Sequence, residues 1–343
     1  MSLLPLEQIR TVGLAGAGAV GYGWAALLLA RGYTVLASDP AQGAQARLEA
    51  AVAQRWASLR RLGVTDEDKP PLDRLRFAGS LAEMAQASDL VQENTPENPE
   101  IKREVISEID RHLPPDRLIL SSSGGVPPSE LQSFCTRAPG RLALGHPFHP
   151  AHIIPLVEVV GGTQTDPAVV ELALQFYAHL GKRPIHLRRE LVGHLSNRLQ
   201  FALLREAAHC LATGVASATD IDAAMRWGLG PRWALMGSLM TFNLAGGSAG
   251  LGSLLERFGN DVQRWWDALA STQLTPAVRD ALVEGARELT GDRSNDEWAQ
   301  WRDDALIEFF RFVSTHPYPA GSTPGPESAG STAHDNTQRH DRK

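Results

Sequence analysis

Apolar and polar positions come in alternating blocks along the first half of the chain. An apolar run from Thr11 to Ala15 ends in glycines, after which the pattern predicts a helix over Ala19–Arg31 and a strand over Tyr33–Ser38, closed by Asp39. This is one strand–helix–strand unit. Short apolar runs recur at Leu75–Ala78, Asp89–Gln92, Leu118–Ser121, Leu142–Gly145 and Leu156–Val160, and helical-period segments lie near Ala44–Leu62 and Pro99–His112. Strands alternating with helices predict a parallel sheet covered by helices. Past Pro167 the pattern changes: Ala168–Leu180 and Val192–Ala212 are long helical segments, and apart from Arg183–Leu187 nothing later reads as a strand. From Pro317 to Lys343 the chain has no Val, Leu, Ile, Phe or Trp, so it lacks the apolar surface to offset its ordering entropy and reads as a disordered tail.

Composition narrows the picture. At 343 residues the chain suits about two domains. A formal charge of −6 offers phosphate backbones and anionic lipid no overall attraction, so nucleic acid is not an expected partner. Cys135 and Cys210 are too few for a disulfide framework, which fits a reducing, cytoplasmic setting. The apolar stretch Trp24–Ala30 falls well short of the ~20 residues that span a bilayer, and no basic segment with a small-residue cleavage site precedes it. Neither membrane association nor export is expected.

The glycines carry the first chemistry. Gly16-Ala17-Gly18-Ala19-Val20-Gly21 follows a predicted strand, opens a predicted helix, and is answered 23 residues after Gly16 by Asp39. That order is the dinucleotide-binding fingerprint: Gly16 for the tight turn, Gly18 for close approach to a pyrophosphate, Gly21 for close helix–strand packing. The helix start, with Ala19 and Val20, presents free N–H groups to phosphate. Asp39 is expected to accept from the adenosine ribose and to repel a 2′-phosphate, so the cofactor is NAD. The fold class is therefore α/β: a Rossmann-type, mostly parallel sheet domain over 1–190, then an all-helical domain over 191–316.

Further segments carry a resemblance: Val91-Gln92-Glu93-Asn94-Thr95-Pro96-Glu97, Gly145-His146-Pro147-Phe148-His149-Pro150, Leu156-Val157-Glu158-Val159-Val160-Gly161-Gly162, and Val192 through Leu199. Together they resemble the L-3-hydroxyacyl-CoA dehydrogenase superfamily over about Thr11 to Gly259. Within it, Gly214-Val215 through Asp220-Ile221-Asp222, Arg232 through Gly237, and Leu244-Ala245-Gly246-Gly247 are similar to the L-carnitine dehydrogenase branch. The lambda-crystallin and L-gulonate 3-dehydrogenase branch stands second. The resemblance implies NAD-dependent oxidation of a small L-3-hydroxy acid, most sharply L-carnitine to 3-dehydrocarnitine, by a homodimer. L-gulonate and 3-hydroxyacyl-CoA are the alternative substrates, and a crystallin-like NAD(H)-binding structural protein is the non-enzyme alternative.

The residues support this chemistry in their own right. Oxidising a secondary alcohol needs a base near neutrality, and His146 lies at a predicted strand end, where doubly wound sheets place their ligand crevice. Glu158, inside the apolar run Leu156–Val160, would pay for burial unless partnered, and an imidazolium is a natural partner. The resemblance makes His146 and Glu158 the catalytic dyad, Asn197 a ligand of substrate oxygen or nicotinamide, and Glu97 and Lys102 neighbours of the cofactor. Two positions depart from the family: Gly124 or Gly125 stands where a serine is usual, leaving Ser123 as the nearest hydroxyl, and His149 replaces an asparagine. His146, His149 and His152 are spaced as if for metal, but Pro147 and Pro150 break the helix such a site would need, and no metal is expected. For a quaternary ammonium, Trp233 and Phe242 are the cage candidates, with Arg198 or Arg232 for a carboxylate. Trp265 and Trp266 suit a dimer interface.

Overall fold

In the computed structural model, residues 3–319 are described, and within them one eight-stranded sheet organises the first half of the chain in the order β3-β2-β1-β4-β5-β6-β7-β8. The strands are β1 (Thr11–Ala15), β2 (Thr34–Ser38), β3 (Leu75–Phe77), β4 (Leu90–Glu93), β5 (Leu118–Ser121), β6 (Leu142–Pro147), β7 (Leu156–Gly161) and β8 (Arg183–His186). Every pairing is parallel except β6 with β7. The chain leaves β3 at one edge and returns as β4 beside β1, so the strand order reverses there and opens a crevice at the strands' carboxyl ends.

Helices α1 (Ala19–Ala30), α2 (Ala44–Arg61), α3 (Leu81–Gln86), α4 (Pro99–His112), α5 (Pro128–Gln132) and α6 (Pro167–His179) cover the sheet. Local chemistry starts several of them. The Asn98 and Asp166 side chains cap α4 and α6, each with proline in the first helical turn, where its missing N–H costs nothing. In α1 every residue from Gly23 to Leu29 is buried, because it is wedged between sheet and neighbouring helices. The main core joins Val12, Leu14, Leu28, Val35, Leu118, Val157 and Phe176 across both faces.

Beyond His186 all elements are helical: α7 (His194–Ala212), α8 (Ala218–Ala223), a π turn over Ala224–Leu229, α9 (Gly230–Ala245), α10 (Gly250–Ala268), α11 (Pro276–Thr290) and α12 (Asn295–Thr315). Gly237, at φ 72°, kinks α9 internally. A capping box of Ser294 and Glu297 opens α12. That helix folds back onto α2, burying Ile307 and pairing Asp304 and Glu308 with Arg61. No helix among the described residues is long and apolar enough to cross a membrane. The expected tail lies outside the described residues from 320 onward.

Candidate active site

The glycine turn fits the dinucleotide role part by part. Gly16 has φ 97°, and a Cβ there would lie 2.9 Å from the Asn94 carbonyl oxygen; one at Gly21 would lie 2.3 Å from the Gly16 oxygen. Neither position takes a side chain without displacing backbone. A Cβ on Gly18 would meet nothing within 4 Å: the turn opens there onto space, at the uncapped N-terminus of α1. Free N–H groups beside an open approach are what a pyrophosphate requires. Asp39 accepts N–H bonds from Ala17 and Ala41 at 2.8 Å each, which fixes it against the turn and leaves each carboxylate oxygen a lone pair for ribose hydroxyls.

His146 and Glu158 stand directly opposite each other in the antiparallel pairing of β6 with β7, so their side chains share one face. His146 Nδ1 lies 2.9 Å from Glu158 Oε2. The other carboxylate oxygen accepts from the backbone N–H groups of Leu195 (3.1 Å) and Ser196 (2.8 Å) and from the Ser196 hydroxyl (2.9 Å). These donors belong to the first turn of α7, whose positive dipole end points at the acid. Burial pulls the Glu158 carboxyl upward, but the bonds from His146 and Ser196 outweigh it and hold the group below the usual carboxylate range. An ionised carboxylate only accepts, so Nδ1 donates to it, and in the neutral ring Nε2 keeps its lone pair.

Asn197, one residue on, donates from Nδ2 to the Gly124 carbonyl at 3.3 Å and accepts from Gln200 at 2.7 Å. The loop after β5 therefore meets both His146 and α7. Three of the expected residues have partners within the fold. The Ser123 hydroxyl does not serve the dyad: it donates to Glu97 (2.8 Å) and accepts from the Val126 N–H (2.9 Å), in a side chain that is buried. Glu97 is the clasp of this loop, accepting also from the Gly124 and Gly125 N–H groups. Lys102 is buried beneath the loop, paired with Glu93 at 3.0 Å and donating to the Thr95 carbonyl at 3.3 Å. A buried ammonium needs such an anion.

Two groups escaped the sequence reading. Ser196 and the α7 N-terminus hold the dyad's acid, and His194, buried with φ 50°, donates from Nε2 to the Ser123 carbonyl at 3.1 Å with its ring centroid 5.2 Å from that of His146. Burial, more than the nearby His146, lowers the His194 pKa against the bond to Ser123. Only the glycine before His194 hinted at a helix start there. The substrate candidates are not brought together. Trp233 and Phe242 lie on α9, which packs on α10 and the turns flanking it, and the contacts of His146, Glu158 and Asn197 do not involve them. Arg198 and Arg232 are exposed, the latter bonded to the Gly228 carbonyl. His149 sits exposed in the loop between β6 and β7, and burial, Arg302 and Arg55 all lower its pKa.

The chain is similar to known proteins. The 3-hydroxyacyl-CoA dehydrogenase NAD-binding domain matches residues 11–191, and the C-terminal domain of the same family matches 193–277. L-carnitine dehydrogenase of Streptomyces griseus subsp. griseus is 42% identical over 311 residues, 91% of this chain and 92% of that protein. The Pseudomonas aeruginosa L-carnitine dehydrogenase is 42% identical over 302 residues, 88% of this chain and 93% of that one. Among solved structures, an NAD+-dependent 5-formyl-3-hydroxy-2-methylpyridine 4-carboxylic acid 5-dehydrogenase superposes with a TM-score of 0.77 at 26% identity, covering 90% of this chain and 99% of its own. The chain belongs to the 3-hydroxyacyl-CoA dehydrogenase family and is an NAD-dependent oxidoreductase acting on CH–OH groups, with an NAD-binding sheet followed by a helical region.

Proposed function

We propose that this enzyme oxidises L-carnitine to 3-dehydrocarnitine, with His146 as the general base. The observation that carries the chemistry is the 2.9 Å contact between His146 Nδ1 and a Glu158 carboxylate locked by three donors of α7. NAD, when bound, supplies the hydride acceptor. The substrate hydroxyl meets Nε2, which takes its proton as the carbon–hydrogen bond breaks, and Glu158 stabilises the resulting imidazolium. Asn197, anchored to the Gly124 carbonyl, is placed to donate to the oxygen as it becomes a carbonyl. Arg198, adjacent on α7, is assigned to the substrate carboxylate. The choice of L-carnitine rests on the two relatives of that name at 42% identity.

We further propose a homodimer formed through the helical half. Leu239 is 78% exposed, Trp266 64% and Trp265 58%, and on α10 the apolar residues Leu251, Leu254, Leu255, Phe258, Val262 and Trp265 recur at helical spacing, with Leu255, Phe258 and Trp265 exposed. A second copy presenting the same face covers both at once. The cytoplasmic placement is supported by two unpaired cysteines.

A substrate panel tests the function: L-carnitine, L-gulonate, 3-hydroxybutyrate and 3-hydroxybutyryl-CoA with NAD, followed by NADH absorbance. L-carnitine is expected to give the highest kcat/KM, and preference for the thioester would reject the assignment. His146→Ala is expected to lower kcat/KM for L-carnitine by roughly 10²–10⁴-fold with NADH affinity unchanged; retained turnover would remove the base.

A further inference from the structure

His194 carries two costs that a residue serving only to start a helix would avoid. It is the one non-glycine residue at positive φ (50°) among those described, in the left-handed region where a side chain is strained. Its side chain is buried, yet Nδ1 has no hydrogen-bond partner within the chain. Glycine would relieve the first cost and an aliphatic side chain the second, so a histidine here needs an offsetting gain.

The gain is position. His194 Nε2 donates to the Ser123 carbonyl at 3.1 Å, and Asn197 Nδ2 donates to the Gly124 carbonyl at 3.3 Å. These two bonds tie the first turn of α7 to the loop after β5. Between them in sequence stand Leu195 and Ser196, whose N–H groups and hydroxyl hold Glu158 Oε1. The loop at the other end of both bonds lies against the base: a Cβ on Gly124 would lie 3.0 Å from His146 Nε2. Two rings also lie against the His146 imidazole, that of Phe148 at 5.3 Å between centroids and that of His194 at 5.2 Å. Burial lowers the His194 pKa, which disfavours a second positive charge beside the imidazolium that proton transfer creates on His146.

We propose that His194 is a positioning residue for the reaction: its bond to the Ser123 carbonyl locks the start of α7 to the loop after β5, so that the donors on Glu158 and the wall beside His146 Nε2 keep one geometry. This rests on the dyad reading above and adds to it the element that aligns the acid with the base.

The test compares wild type with His194→Gln, His194→Asn and His194→Phe, following NADH affinity by fluorescence and kcat and KM on the best substrate of the panel above. A glutamine amide reaches where Nε2 stands, an asparagine amide falls short of it, and phenylalanine keeps a ring without a donor. All three variants should keep NADH affinity. The glutamine variant should stay within about threefold of wild-type kcat, while the asparagine and phenylalanine variants lose about tenfold or more in kcat with KM for the alcohol changed less than about threefold. Adding Ser196→Ala to His194→Asn should lower kcat by less than about twofold further, because a turn no longer held gains little from that hydroxyl. Wild-type kcat in the asparagine and phenylalanine variants, a glutamine variant as slow as they are, or fully additive losses in the double variant would overturn the proposal. Loss of NADH binding in the glutamine variant, or in both of the others, would assign His194 to folding and overturn it too. His146→Ala separates the two readings: unimpaired His194 variants beside an inactive His146→Ala sink the positioning role alone, whereas an active His146→Ala, or a wild type inactive on every alcohol of the panel, removes the dyad reading and this role with it.

Discussion

The sheet half and the helical half of this enzyme are built to different standards of burial. From Ile9 to Leu180 the core is continuous, with Leu14, Leu28, Leu29, Leu48 and Leu59 each at 1% exposure or less apart from Leu29 at 2%. After residue 190 the buried apolar residues among those described are Ala208, Ala218 and Ile307, while Trp227, Leu239, Leu244 and Trp266 stand more than half exposed. A helical region with so little closed core does not draw its order from its own interior alone. Part comes from α12 docking on α2, and on the reading above the remainder comes from a second copy. The site follows the same division: the sheet supplies both members of the dyad across one strand pair, and the helical half contributes the N-terminus of α7 that holds the acid in place.

The sharpest way to break this comparison is one substitution made in both halves. Leu28→Ala, at a site 1% exposed, should cost about 2–5 kcal/mol in denaturant unfolding. Leu239→Ala should change the stability of a monomer by no more than about 0.5 kcal/mol. Under the dimer proposal Leu239→Asp instead raises the dissociation constant measured by sedimentation. A monomeric wild type would show that the exposed face has no self-partner.

A smaller effect sharpens the division of labour at the site. Ser196→Ala removes one hydroxyl donor from Glu158 but keeps the two backbone N–H groups, so kcat should fall by about 3- to 10-fold, equivalent to roughly 1 kcal/mol, with KM for NAD unchanged. An effect as large as that of His146→Ala would mean that the hydroxyl, and not the helix terminus, holds the acid.

A last effect, of the same order, is a pH dependence confined to the sheet half. His152 is buried with Nδ1 unpartnered, and burial together with Arg55 and Lys182 pushes its pKa down to about 3. Below its unfolded value of 6.5 the unfolded chain binds a proton that the folded chain refuses, so stability is fully present above pH 6.5 and is lost as pH falls toward 3. At pH 5.5 the loss is about 1.4 kcal/mol. His152→Gln should flatten the stability profile between pH 5.5 and 6.5, and an unchanged slope would place the titration elsewhere.

Much of the sheet half was legible because its signals are local. The runs at β1, β5 and β7, and the glycine turn with its answering Asp39, depend on neighbours within a few residues. The partners of Lys102 and Ser123 were not legible for the opposite reason: each side chain is held by an acid that the fold brings in, Glu93 for one and Glu97 for the other. Trp233 and Phe242 share residue type with a cation cage, yet their place on α9 was decided by how α9 packs on α10.

By itself the sequence determined the elements and the dinucleotide turn and pointed to His146 and Glu158 as a candidate pair, because periodicity, glycine geometry and side-chain chemistry are properties of short segments. The tertiary structure alone decided that β7 runs antiparallel to β6, setting Glu158 opposite His146, that α7 starts where its N–H groups reach that acid, and that Gly124 faces Nε2. Those three facts join residues dozens of positions apart or reverse a strand's direction, and only the packing of the whole chain fixes such distances.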